Sequence, residues 1–299
     1  MIEVERVSKQ FQDLEALREV SLAVHKGSVY GLVGSNGAGK TTMLKLLAGI
    51  YKPDSGNLMI DSQPVFENEA IKTRCVFIPD ILYFFLNYTI QDMADFYANI
   101  YPQWNNQRYL KLANVFNIEV KRRIRTLSKG MQRQVALWLG LALMPDVMIL
   151  DEPLDGLDPV MRQKVKNLII QDVAEREMTI IISSHNLREL EDICDYIGIL
   201  HQGKMLIQKD FDDLRADVHK IQVAFSGEIP PALLEQTQTL YHEQRGSVLI
   251  LIVRGAYSEI ISHMQSYNPA VLDILPLTLE EIFIYEMGDN GYEIKNILY

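Results

Sequence analysis

The chain has 299 residues, 48 % of them hydrophobic and 23 % charged, with a formal net charge of −10 at pH 7. That composition excludes a mainly disordered chain, and the length points to one large domain with an appendage. A chain this acidic has no long-range attraction for a polyanion, which argues against nucleic acid as its main partner.

The opening run, MIEVERVSKQF, alternates charges without an apolar stretch and does not read as a signal peptide. Ile2-Glu3-Val4-Glu5 alternates as a strand, and Val20–Val24 is short and β-rich. Val29–Val33 is a strand that runs straight into a glycine-rich loop, and Thr41–Ile50 behind the loop reads as a buried helix. Tyr51–Gly56 has strong turn chemistry, and Asn57–Asp61 is a further strand.

From about Thr89 to Met144 the periodicity is helical and rich in aromatics, as in Ile90–Tyr101 and Arg108–Phe116. Strands return at Val147–Leu150 and Thr179–Ser183, on either side of a charged helical stretch, Val160–Glu177. Short, fully apolar strands in a βαβ rhythm predict a parallel sheet covered on both faces. The longest apolar stretch lies within Val135–Pro145, far short of the roughly 18–20 residues of a membrane span. Two cysteines, Cys75 and Cys194, fit a reducing compartment rather than a disulfide framework. The expectation is a soluble, cytoplasmic protein that serves a membrane only through another chain.

Composition shifts near Arg215. Residues 216–299 carry four basic side chains against eleven acidic ones, and their rhythm alternates between strand and helix. Strands are expected at Ile221–Phe225, Val248–Val253 and Val271–Leu275, and helices near Pro231–Thr239, Ser258–Tyr267 and Leu279–Met287. Thr278 with Glu281 forms a capping box for the last of these. The predicted division is residues 1–215, with a helical subdomain over about 88–145, and a small α+β domain over 216–299.

Gly34-Ser35-Asn36-Gly37-Ala38-Gly39-Lys40-Thr41 fits G-x-x-x-x-G-K-[ST], after a strand and before a helix as that loop requires. Glycines let the backbone wrap closely, so consecutive N–H groups and the helix N-terminus point at phosphate oxygens. Lys40 brings a point charge to the β- and γ-phosphates, and the Thr41 hydroxyl suits Mg²⁺; Thr42 extends the cradle. Val147–Leu150 ends in Asp151-Glu152-Pro153, which puts two carboxylates at the carboxyl edge of a sheet, where ligands bind in open α/β folds. Asp151 is suited to hold Mg²⁺ through water, and Glu152 to orient and deprotonate an attacking water.

A third segment is more discriminating. Leu127-Ser128-Lys129-Gly130-Met131-Gln132-Arg133 resembles the signature motif of ATP-binding cassette (ABC) ATPases, and the motifs of residues 1–215 follow that family's order. The resemblance implies a P-loop core with a mostly parallel sheet, an antiparallel β subdomain and a helical subdomain. Asp155-Gly156-Leu157-Asp158-Pro159 resembles the D-loop, His185 stands at the switch histidine, and Phe11 is placed like the aromatic that stacks on adenine. The alternatives are core packing for Phe11, an ordinary strand-end histidine for His185, and for Lys121, Arg122, Arg123 and Arg125 a solvated face or a field for the triphosphate. Ser128 and Gly130 keep the groups expected at the γ-phosphate, while Lys129 and Met131 depart from the usual glycine and glutamine, in a form that looks like the bacterial exporter-type subgroup. Asp80, in Ile78-Pro79-Asp80, stands where the family has Gln or Glu, and it is carried as a third candidate for Mg²⁺ with a side chain one methylene shorter than Glu.

The resemblance implies an ATPase that works with ATP and Mg²⁺ as a head-to-tail pair of two copies and drives a separate membrane permease. Leu82–Tyr101, with Tyr83, Phe84, Phe85, Tyr88, Phe96 and Tyr97, is its expected docking surface, or else ordinary packing of the helical subdomain. Pro276–Phe283 resembles the tail of exporter-type subunits. Two further readings stay open, a cassette ATPase acting on nucleic acid or ribosomes and a nucleotide sensor without turnover. One loop motif and the absence of heptads weigh against the first, and Glu152 with His185 against the second.

Overall fold

A computed structural model of the chain describes residues 2–211, 213, 218–227, 230, 233, 238–278 and 281. The chain divides into two compact units, Met1–Gln208 and Lys209–Tyr299.

The first unit opens with β1 (Ile2–Phe11) and β2 (Leu14–Val24), an antiparallel hairpin that alternates buried and exposed residues. They form a four-stranded antiparallel sheet with β4 (Ser55–Ile60) and β5 (Gln63–Pro64), in the order β2-β1-β4-β5. One face of this sheet is apolar, and Ile2, Val4, Val20, Leu22 and Ile60 pack there against α1 (Lys40–Leu47) through Met43, Leu44 and Leu47. The second sheet has six strands in the order β10-β9-β3-β8-β7-β6. These are β3 (Val29–Val33), β6 (Cys75–Ile78), β7 (Val147–Asp151), β8 (Thr179–Ser184), β9 (Tyr196–His201) and β10 (Lys204–Asp210). The pairings β6·β7, β7·β8, β8·β3 and β3·β9 are parallel. β3, β7 and β8 are buried at every position, as strands covered on both faces must be. The expected parallel sheet and antiparallel sheet are therefore both present.

α2 (Glu69–Arg74) leads into β6, and the helical segment consists of α3 (Ile90–Ile100), α4 (Asn106–Phe116) and α5 (Lys129–Ala142). Each of these three begins on a side-chain cap that accepts a main-chain N–H: Thr89 in a full capping box, Asn105 and Ser128. Trp138 of α5 is fully buried, stacks on Tyr109 and Phe116 of α4, and donates its indole N–H to the Tyr109 carbonyl at 2.8 Å. α6 (Pro159–Arg176) is capped by Asp158, and a one-turn α7 (Leu187–Leu190) by Asn186. Among the described residues no helix is long and apolar enough to cross a membrane.

The second unit holds a four-stranded antiparallel sheet in the order β12-β13-β11-β14. Its elements are β11 (Val218–Ala224), β12 (Gln238–Arg245), β13 (Val248–Arg254), α8 (Tyr257–Ser266) and β14 (Val271–Leu275). Ile221, Val223, Leu249, Leu251 and Val253 pack one face of the sheet against Ile260 and Met264 of α8. The helix expected over 231–239 falls mostly outside the described residues, and its last two positions open β12 instead. The helix expected over 279–287 also lies outside them, apart from Glu281. Its cap is formed, because Thr278 Oγ1 accepts the Glu281 N–H while the Glu281 carboxylate accepts the Thr278 N–H.

Candidate active site

The loop of residues 34–39 joins β3 to α1 at the carboxyl edge of the six-stranded sheet. Gly39 sits at φ 108°, and a Cβ there would lie 2.7 Å from the Ala16 carbonyl oxygen, so both conformation and space require glycine. α3 to α6 are capped by side chains, whereas α1 has no side-chain cap hydrogen bond and no acidic residue in its first turn. Its first N–H groups and the positive end of its dipole are thereby left for an anion. The Ala38 carbonyl accepts from the Gly203 N–H at 2.9 Å, and the Gly203 carbonyl from the Arg18 N–H at 2.7 Å. The turn between β9 and β10 thus fixes the loop from behind.

Lys40 is buried, and its Nζ donates to the carbonyls of Gly34 and Ser35 at 2.6 and 3.3 Å and lies 3.6 Å from Glu152 Oε1. Thr41 donates its hydroxyl to Asp151 Oδ2 at 2.8 Å. Strand register supplies the second partner. Asp151 of β7 lies opposite Ser183 of β8, and Ser183 Oγ donates to Asp151 Oδ1 at 2.7 Å. Asp151 is 1 % exposed, and both of its carboxylate oxygens accept from these hydroxyls in place of water. The hydroxyl and the carboxylate are hard oxygen donors, and they fit an ion such as Mg²⁺ that takes one or two protein ligands and keeps its waters. Among the described residues no group of three or more His, Cys, Asp or Glu gathers as a metal cage.

Glu152 follows at φ 48°, a left-handed conformation that turns its side chain away from the strand. Its N–H donates to Ser183 Oγ at 3.0 Å, and its Oε2 lies 3.0 Å from His185 Nδ1. Burial raises the Glu152 pKa above the ordinary glutamate value, against the opposing pull of Lys40 and His185. A carboxylate moved towards neutrality beside a phosphate cradle is suited to take a proton from water.

A cavity of about 500 Å³ opens over the loop, walled by residues 35–42, by Asp80, Asp151 and Glu152, by Leu14, Glu15, Ala16 and Arg18, and by Gln202 and Gly203. Ser35, Asn36, Gly37, Ala38, Gly39, Lys40, Thr41 and Thr42 therefore come together with both carboxylates, and Gly34 lies beneath them, holding Lys40. Phe11 is not part of that wall. It stands edge-on to Tyr51 at 5.2 Å with the Lys9 ammonium over its ring, while Leu14 of the same hairpin lines the cavity. Asp80 does reach the wall, but its Oδ1 is engaged by Arg133 at 2.9 Å.

Ser128, Gly130 and Asp158 lie outside the wall as well. Ser128 Oγ accepts the Met131 N–H at 3.2 Å, and Asp158 Oδ1 accepts the Val160 and Met161 N–H groups at 3.0 Å each. A Cβ on Gly130 would stand 2.5 Å from the Gly156 carbonyl oxygen, so the two segments touch by backbone. The sequence reading missed Ser183, Arg133, the β2 residues and the turn at 202–203. Of these, only Ser183 leaves a trace in sequence, as a hydroxyl closing an apolar strand.

The ABC transporter family model matches residues 17–155. "ABC transporter ATP-binding protein YtrB" of Bacillus subtilis is 34 % identical over 96 % of this chain and 98 % of its own length. "Bacitracin transport ATP-binding protein BcrA" of Bacillus licheniformis is 32 % identical over 72 % of this chain and 71 % of its own. The dimeric bacterial ABC transporter cassette MJ0796 superposes with a TM-score of 0.65 at 21 % identity, over 71 % of this chain and 99 % of that one. At that identity the likeness is one of fold. Near full-length similarity to YtrB joins the phosphate loop, the paired carboxylates and the parallel sheet in one conclusion: the chain belongs to the ATP-binding proteins of the ABC transporter family.

Proposed function

We propose that this chain binds and hydrolyses ATP as one of two head-to-tail copies and drives a membrane permease carried on other chains, in the direction of export. One observation carries the catalytic part: Lys40, the Thr41–Asp151 pair and the Glu152–His185 pair converge at one phosphate loop. The loop amides, the α1 N-terminus and Lys40 would take the triphosphate, and Lys40 would exchange its carbonyl partners for phosphate oxygens. Thr41 and Asp151 would hold Mg²⁺, which when bound neutralises charge on the phosphate oxygens. Glu152 would orient a water and accept its proton, and His185 would fix the Glu152 carboxylate and the γ-phosphate. Asp80 is a weaker metal candidate because Arg133 already occupies it.

Ser128, Gly130 and Asp158 are outside the wall of their own chain's cavity, which supports their use on the nucleotide of a second copy, and Ser128 is exposed at a helix N-terminus. The dimeric MJ0796 cassette shares this fold. Phe11 is proposed at the adenine side, next to Leu14. Ile81, Tyr83, Phe85 and Leu86 are exposed beside α3 and fit a permease contact. Export is supported by the form of the signature, Leu127–Met131, and a role in transport by the similarity to a bacitracin transport protein. We place the protein at the cytoplasmic face of the membrane, with residues 1–215 as cassette and 216–299 as accessory domain.

The test is phosphate release by the purified chain with Mg·ATP, together with light scattering on the Glu152→Gln variant. Turnover lost in that variant, with dimers forming under saturating ATP, supports the proposal. A variant that stays monomeric sinks the dimer, and tight ATP binding without turnover by the unaltered chain, membranes included, leaves a sensor.

A further inference from the structure

Arg133 lies on α5, five residues beyond the Ser128 cap, and its side chain is 10 % exposed. Its guanidinium ties two other segments to that helix. Nη2 donates to both the carbonyl and Oδ1 of Asp80 at 2.9 Å each, while Nη1 donates to the Glu152 carbonyl and, at 3.4 Å, to that of Asp151. Guanidinium stays protonated and offers a planar fork of donors, so this is a charged cross-link with fixed geometry. It meets Glu152 where the backbone is left-handed, and the Glu152 N–H on the other side of that residue is held by Ser183. Both peptide units around the carboxylate are therefore clamped, one of them by Arg133.

At its other end the fork grips Asp80, which is half exposed and forms part of the cavity wall. Whatever fills the cavity meets Asp80 directly, and the covalent path from Asp80 to Glu152 runs through the 71 residues between them. The guanidinium makes that path one side chain long and anchors it on the helix whose first turn bears Ser128 and Gly130. It also gives Asp80 a purpose that a shorter carboxylate in place of Gln or Glu otherwise lacks: it is the counter-charge of a buried arginine.

We propose that Arg133 is a positioning residue for hydrolysis, holding Glu152 in register, and that Asp80 is the counter-charge that keeps its fork in place. The inference rests on the ATPase reading above. A neutral, flexible side chain at 133 would leave Glu152 present but misaimed, so the loss belongs in kcat and not in KM for ATP.

The experiment measures kcat and KM for Mg·ATP on the full chain carrying Arg133→Met, Arg133→Lys, Asp80→Ala and the double change Asp80→Ala with Arg133→Met. Loss of a charge-assisted hydrogen bond predicts kcat about 10- to 100-fold lower for Arg133→Met, with KM within about threefold. Arg133→Lys keeps the charge without the fork and recovers part of that loss. Asp80→Ala, a change at a half-exposed site, lowers kcat by about three- to tenfold, and the double variant is no worse than Arg133→Met alone because both changes break one link. Unaltered kcat in Asp80→Ala overturns Asp80 as the anchor of the fork even if Arg133→Met fails to fold. A loss confined to KM, or a double variant whose losses multiply, overturns the positioning role. An unaltered chain that binds ATP without turning it over defeats the ATPase reading and this inference together, whereas a hydrolysing chain indifferent to both substitutions defeats this inference alone.

Discussion

Ser183 gives the sharpest test of how the site is built, since it carries no charge and touches no solvent. Its hydroxyl donates to Asp151 Oδ1 at 2.7 Å and accepts from the Glu152 N–H at 3.0 Å, in surroundings where Ser183 is 0 % and Asp151 1 % exposed. Ser183→Ala removes a hydrogen bond to a buried carboxylate, about 1.5–3 kcal/mol, and leaves an amide unpaired, about 1–3 kcal/mol. The two losses share one small space and relax together, so about 2–4 kcal/mol is expected. In a unit of this length each kcal/mol lowers Tm by about 2–4 °C, which gives a fall of roughly 4–16 °C. Circular dichroism melts without nucleotide read this directly, with Ser184→Ala as the comparison. Ser184 bonds to Asn186 and Glu189, within its own turn of chain, and supports neither Asp151 nor Glu152. A Ser183→Ala melt within about 1 °C of the unaltered chain, or a larger fall for Ser184→Ala, would refute the claim that strand register holds the carboxylate pair.

Gly130→Ala puts a Cβ 2.5 Å from the Gly156 carbonyl oxygen; it should therefore lower Tm of the isolated chain by several degrees, since backbone cannot yield as a side-chain end can, and a neutral melt would mean that Gly130 matters only across a dimer. The Glu152 carboxylate must be ionised to accept a proton, and burial raises its pKa, so kcat should fall with decreasing pH at values above those of an ordinary glutamate; stopped assays across a pH series check this, and an acid limb at or below the ordinary value refutes it. The stability of the fold carries the opposite sign, because the folded chain holds that proton more tightly than the unfolded one and stability decreases as pH rises between the two pKa values. Trp138→Ala empties a fully buried site and frees the Tyr109 carbonyl, with an expected loss of about 3–5 kcal/mol in denaturant titration.

What the sequence made legible follows from locality. The loop of residues 34–41, the apolar strand leading to Asp151-Glu152 and the apolar strand leading to His185 are each contiguous, and each is read from its own residues. The walls are not local. Leu14 to Arg18 and Gln202 to Gly203 meet at the loop through two different sheets, and nothing in those residues encodes the meeting. Arg133 reads as one more polar position of a helix, because its reach to Asp80 and to Asp151–Glu152 depends on how α5 packs. β12 escaped notice for a physical reason: it is an edge strand, Gln238–Arg245, whose polar and charged residues give no alternating apolar signal. Phe11 was marked by the resemblance as an adenine-stacking aromatic, but its partner was not legible, because Tyr51 arrives from the far side of α1 in sequence.

The adjacency of Asp151 and Glu152 raises one further point. Two carboxylates side by side on a regular strand would face opposite sides of the sheet, and only one could meet the loop. Asp151 keeps the strand conformation and is held by Thr41 and Ser183. Glu152 breaks it at φ 48°, which brings its carboxylate to Lys40 and His185. A left-handed non-glycine residue costs about 1–2 kcal/mol, and here the cost is offset by Ser183 on the N–H and Arg133 on the carbonyl. The same two bonds keep the carboxylates distinct in environment, one satisfied by hydroxyls and suited to a cation, the other raised in pKa and suited to a proton. Division of labour between neighbouring acids thus depends on a backbone kink and the two side chains that hold it.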